Sequence, residues 1–175
     1  MLICFFISGA EEMTAKSSDY AYYEGGTYAY FFRAPSGWIL DLDNAHLDGY
    51  TAAMYPDSQS YDYSDMIIYV WIFPKDSMAF QEFITRDSAH YIKTHEGLSF
   101  IANKPGINSD SLRFTTLETD DPGAIYDIVS ITYFDLISEI VIYEAHIAER
   151  RFHTDIAEHL HQAINELRRI TDSEE

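Results

Sequence analysis

Glu144 and His146 stand two residues apart in a segment that otherwise reads as strand, so both side chains fall on the same side of it. A carboxylate beside an imidazole can orient it and hold its proton, the beginning of an acid/base set if a substrate reaches it. The preceding apolar segment pairs with this one as a hairpin. A register that opposes Tyr133 to Val141, Ile131 to Tyr143 and Val129 to Ala145 keeps like residues together. That register brings Ser130 opposite Glu144 and Ile128 opposite His146. No Gly-x-Ser-x-Gly elbow supports Ser130 or any other serine as a nucleophile. The expectation is therefore a polar strand face, solvated or covered by a helix.

Asp41-Leu42-Asp43-Asn44-Ala45-His46-Leu47-Asp48 gathers the densest set of oxygen ligands for a hard cation. A calcium loop needs donors at alternate positions and a Gly at its sharp turn; here Ala45 takes the third donor position and the Gly is missing. The segment reads as an acidic loop. His159 and His161 lie roughly 200° apart around a helix and cannot share a metal. Asp155 and His159, four apart, could, but zinc needs three or four ligands and Glu166 is too far along to complete the set. His95-Glu96 lacks the second His of a zincin, and no phosphate-binding loop occurs. Cys4, the sole cysteine, lies in the hydrophobic leader, so the folded domain has no thiol chemistry and no disulfide. No catalytic residue, cofactor or metal is assigned, and the chain points away from catalysis.

Charge suggests binding instead. The formal net charge is −18, from 11 basic and 29 acidic residues, which argues against a nucleic-acid or anionic-membrane surface. The negative charge is segregated: six Asp and no base separate Arg33 from Lys75, and eight acids and no base separate Arg113 from Arg150. Tyr50, Tyr55, Tyr61, Tyr63 and Trp38 border the first acidic segment, and such rings anchor protein interfaces. The partner-binding surface is expected at Trp38, Asp41, Asp43, His46, Asp48, Tyr61 and Tyr63, facing a protein partner with basic character. An immunity-type inhibitor of a basic toxin is the alternative within binding. A metal-dependent hydrolase using the Asp41–Asp48 loop or the Glu144/His146 pair is the alternative within catalysis.

These residues need a scaffold. Met66 to Phe73 is uncharged, with Met66, Ile68, Val70 and Ile72 on one face and Ile67, Tyr69, Trp71 and Phe73 on the other, so it predicts a central strand covered on both sides. Further strands are expected at Thr27–Arg33, Trp38–Leu42, Tyr50–Tyr55, Leu98–Ala102, Leu112–Glu118, Ala124–Phe134 and Glu139–Ala148. Lys104-Pro105-Gly106 and Thr119-Asp120-Asp121-Pro122-Gly123 are breaks, and Asp43–Asp48 a loop. One helix is expected from an Asp76 or Ser77 cap to about Glu96, with Phe80, Phe83, Ile84, Tyr91 and Ile92 as its stripe and Gly97 at its end. A second runs from Thr154 to about Ile170, burying Phe152, Ile156, Leu160, Ile164 and Leu167. This order gives an α+β fold, a mostly antiparallel twisted sheet with helices on both faces.

At 175 residues one core suffices. Residues 1–10 read as the back half of a secretory signal cleaved after Ala10, which sets the protein in the periplasm or outside the cell. Residues 11–26 are expected as a flexible leader, 27–170 as a single domain, and 171–175 as an acidic tail. No stretch approaches the roughly 20 apolar residues of a membrane span.

Phe32-Arg33-Ala34-Pro35-Ser36-Gly37-Trp38-Ile39-Leu40-Asp41, then a strand ending Tyr55-Pro56, a hydrophobic strand, a long helix and a C-terminal helix, resembles the PsbP-like domains over about Thr27 to Ile170. That superfamily includes the extrinsic P subunit of photosystem II, a nuclear Ran-binding import factor and small bacterial periplasmic proteins. The resemblance implies an α-β-α sandwich with a binding or accessory role, and no functional residue carries over.

Overall fold

A computed structural model describes residues 13–17, 19–25, 28–75, 77–95, 98–119 and 127–170. Its centre is an antiparallel sheet of seven strands in the order β4-β5-β6-β10-β9-β8-β7. These are β4 (Trp38–Asp41), β5 (Ala52–Pro56), β6 (Met66–Pro74), β7 (Phe100–Ile107), β8 (Arg113–Thr119), β9 (Asp127–Asp135) and β10 (Glu139–Ile147). A second antiparallel sheet, order β1-β2-β3-β11, is built from β1 (Met13–Ser17), β2 (Tyr20–Glu24), β3 (Ala29–Arg33) and β11 (Arg168–Ile170). The helices are α1 (Asp43–Leu47), α2 (Phe80–Thr94) and α3 (His153–Glu166).

The uncharged stretch is two-faced, as its pattern requires. Met66, Ile68, Val70 and Ile72 join a core shared with α3 (Ile156, Leu160, Ala163, Ile164) and with Ala21, Tyr23, Tyr30 and Phe32 of the small sheet. On the other face Ile67 and Tyr69 pack with Ala45 of α1, and Trp71 with Phe80, Phe83, Ile84 and Tyr91 of α2. The sheet is thus covered on both sides, the architecture of an α-β-α sandwich. The middle position belongs to β10, every residue of which except His146 is buried, and β6 lies beside it.

Several expectations are corrected. Residues 13–17 and 20–24, expected in a flexible leader, are strands, because Ala21 and Tyr23 alternate inward onto the core while Tyr20 and Tyr22 alternate outward. Asp43–Leu47 is a helix, not loop. Strand β7 runs through Lys104-Pro105-Gly106, which it can do as an edge strand whose proline needs no outward donor. Helix α2 begins at Phe80 without a side-chain cap, and α3 ends at Glu166, after which Arg168–Ile170 pairs with β3. Among the described residues, no helix is long and apolar enough to cross a membrane. The expected signal segment 1–10, Gly97, the turn at Asp120–Gly123 and the tail 171–175 lie outside the described residues.

The hairpin register also differs. Phe134 opposes Val141, Thr132 opposes Tyr143, Ile131 opposes Glu144 and Ser130 opposes Ala145. A bulge between Ala145 and His146 then restores Ile128 opposite His146. The last pair is Asp135 with Ile140, so four residues, Leu136 to Glu139, close the turn, with Leu136 N–H donating to Glu139 O at 3.1 Å; an even number in place of an odd one moves the pairing one residue from the expected one. Ser130 consequently faces away from Glu144.

Candidate functional site

The face of the sheet that carries α1 and α2 holds most of the polar chemistry. Glu144 is only 4% exposed. Its Oε1 lies 2.6 Å from His146 Nε2, while Oε2 receives the Tyr91 hydroxyl at 2.6 Å and the Trp71 indole N–H at 3.4 Å. Burial works to raise its pKa, yet these partners outweigh burial and hold the carboxyl below its ordinary range. One helical turn away, Tyr133 donates to Asp87 at 2.9 Å; burial, reinforced by the Glu144 charge, raises Asp87. These bonds tie α2 to the sheet across a face where Ile84 is its sole buried residue. With side-chain partners on both oxygens and α2 packed on this face, Glu144 is held in place and little exposed. Its chemistry is that of an anchor, and the acid/base set is dismantled further by Ser130 lying on the opposite face.

The expected partner-binding residues divide. Trp38 is 5% exposed, buried on the α3 side and stacked on the His159 ring at 4.7 Å, so it does not belong to the acidic surface. His159 Nδ1 in turn meets the backbone oxygen of Asp155 at 2.7 Å, not its carboxylate. Asp41, half-buried, is used internally: it accepts the Asn44 N–H at 3.0 Å, the Asn44 amide at 2.7 Å and the Tyr55 hydroxyl at 2.7 Å. Against the pull of burial, those bonds lower its pKa and secure the start of α1. Among the described residues no three His, Cys, Asp or Glu side chains are placed to hold a metal together.

Of the others, Asp43 and His46 lie in α1 with Asp48 just after it, and Tyr61 and Tyr63 lie in one 3₁₀ turn. Ala45 plugs α1 into a cluster with Ala53, Tyr55 and Ile67, leaving Asp43, His46 and Asp48 exposed. Tyr61, in the 3₁₀ turn Tyr61–Tyr63, reaches across and donates to Asp48 at 2.7 Å, fixing the two short elements to each other. Each of these elements carries one large apolar side chain that stands out: Leu47 of α1, 84% exposed, and Tyr63 of the 3₁₀ turn, 81% exposed. Sequence reasoning missed Leu47, whose exposure follows from α1 being a helix; a loop reading gives no face on which to place it.

No protein-family model matches the chain, and no curated protein matches it. Its fold is PsbP-like. The solution structure of cyanobacterial PsbP (CyanoP) from Synechocystis sp. PCC 6803 superposes with a TM-score of 0.54 over 86% of this chain and 92% of that one, at 18% sequence identity.

Proposed function

We propose that the protein is a non-catalytic binding or accessory protein that engages a protein partner through the corner formed by α1 and the Tyr61–Tyr63 turn. The observation that carries this reading is that Leu47 and Tyr63, both exposed, stand on the two short elements that the Tyr61–Asp48 bond joins and that also carry Asp43, Asp48 and Asp62. An apolar pair inside an acidic rim suits a partner that offers an apolar anchor flanked by Lys or Arg, with charge guiding the encounter and burial supplying affinity. The signal-like sequence of residues 1–10 supports a periplasmic or secreted setting, which the mass of the mature N-terminus tests.

The test is retention of native-extract proteins on the immobilised protein at low salt, compared with a Leu47→Ala/Tyr63→Ala variant and with an Asp43→Lys/Asp48→Lys variant. The reading expects a partner retained by the parent, released as salt rises and lost by both variants. Retention indifferent to both variants, or no retention at low salt, overturns it.

A further inference from the structure

On the α3 side an open groove of about 650 Å³ lies where the Pro35-Ser36-Gly37 turn meets the second half of α3. Its volume is that of a small-ligand site. Asp19 and Arg33 form one wall, Ala34 to Trp38 the floor, and His161, Gln162 and Asn165 the other wall. The floor is rigid. Ala34 N–H donates to Asp19 O at 2.8 Å, Trp38 N–H to Pro35 O at 3.0 Å, Asp57 N–H to Gly37 O at 3.0 Å, and Trp38 is clamped by His159. Gly37 sits at φ +76°, the conformation that lets the turn close.

The turn's hydrogen bond uses the Trp38 N–H and leaves the Ser36 and Gly37 N–H groups without a backbone acceptor among the described residues. Beside them Arg33 has, among the described residues, a slack contact with Asp19 at 3.9 Å and lies over the Phe31 ring at 5.5 Å, with no described acceptor on its terminal guanidinium N–H groups. Glu166, the other acid of the groove, is engaged by Arg168 at 3.3 Å. Donors on the turn side, the Gln162 amide and Asn165 Oδ1 on the helix side, where Asn165 Nδ2 is engaged by His161 O at 2.9 Å, and a Pro/Trp floor match the end of a peptide chain: a carboxylate, main-chain amides and a side chain to cover the floor. We infer that this groove binds the C-terminal end of a polypeptide, its carboxylate on Arg33 and the Ser36-Gly37 turn and its last peptide groups against Gln162 and Asn165. The inference is independent of the acidic corner.

The test titrates the isotope-labelled full chain with a pool of acetylated tetrapeptides of mixed sequence bearing free C-terminal carboxylates, and separately with the same pool amidated. Saturable shifts of the Ser36, Gly37 and Trp38 amide signals are expected with the free acids, about tenfold or more weaker with the amides, the size of one lost charge-assisted hydrogen bond. Arg33→Gln should erase the difference between the pools, and Gln162→Ala should weaken both; each site is exposed, and an otherwise unchanged spectrum verifies the fold. Equal binding of both pools, shifts confined to other residues, or no shift at all overturns the inference. A response to free acetate equal to that of the peptides also overturns it, since it reduces the groove to a carboxylate site without peptide recognition.

Discussion

Tyr133 and Tyr143 are both fully buried in the central sheet, but their hydroxyl groups are not equally served. Tyr133 donates to Asp87, whereas the Tyr143 hydroxyl, in a core of Phe32 and Phe134, has no hydrogen-bond partner among the described residues. Tyr143→Phe should therefore be neutral or stabilising by up to ~1 kcal/mol, and Tyr133→Phe destabilising by about 1–3 kcal/mol, in urea denaturation. Glu144→Gln keeps the shape of the anchor but removes its charge, and should cost about 1–3 kcal/mol at neutral pH. The sign with pH follows from its lowered folded pKa: the stability Glu144 contributes is complete above the ordinary carboxylate range and is lost as pH falls through the folded value. Asp87, raised in the fold, runs the other way, its contribution being present at low pH and lost as pH rises through its folded value. The Gln variant should thus show a shallower acid limb than the parent in stability measured from neutral pH downward; an unchanged limb would remove Glu144 from the account.

At the scale of elements, Gly106 shows why β7 continues past its proline. A Cβ there would come within 2.3 Å of Phe114 Cζ, because the Phe114 ring lies across the glycine on its way to Phe134, 5.5 Å between centroids. Gly106→Ala should displace that ring and cost about 1–3 kcal/mol, read as a lower urea midpoint at unchanged slope. The Lys104-Pro105-Gly106 triplet has the composition of a strand break, and only the position of β7 at the sheet's edge lets it continue the strand. The same limit explains β2: Tyr20, Ala21, Tyr22 and Tyr23 alternate in the structure, but tyrosine counts as neither clearly in nor clearly out until a core is there to receive it. Helix α1 is five residues, too short for a periodic signal. By contrast β6 and α3 were legible, since eight uncharged residues and the Ile156, Leu160, Ile164 stripe leave few other ways to bury apolar surface. Of the candidate site, the acidic and aromatic composition of Asp41 to Tyr63 was legible, but not the Tyr61–Asp48 bond, and Trp38 could not be separated from its neighbours, because only the sheet's two sides tell it from Asp41.

For the whole molecule, a net charge of −18 implies self-repulsion that salt should relieve. The melting temperature is expected to rise as ionic strength goes from about 0.01 M to about 0.15 M, over which the screening length falls from about 30 Å to about 8 Å. A melting temperature that falls instead would mean the ion pairs, such as Lys104 with Glu118 at 2.6 Å and Lys75 with Asp135, outweigh the repulsion. The closing strand has a separate bearing on how the molecule comes into being. Arg168–Ile170 lies against Ala29–Phe31, so a sheet begun by early residues is completed by three that leave the ribosome after every other described element. During synthesis the open margin of β3 waits unzipped, and a nascent chain paused before Arg168 would present that margin to chaperones or to a neighbouring copy.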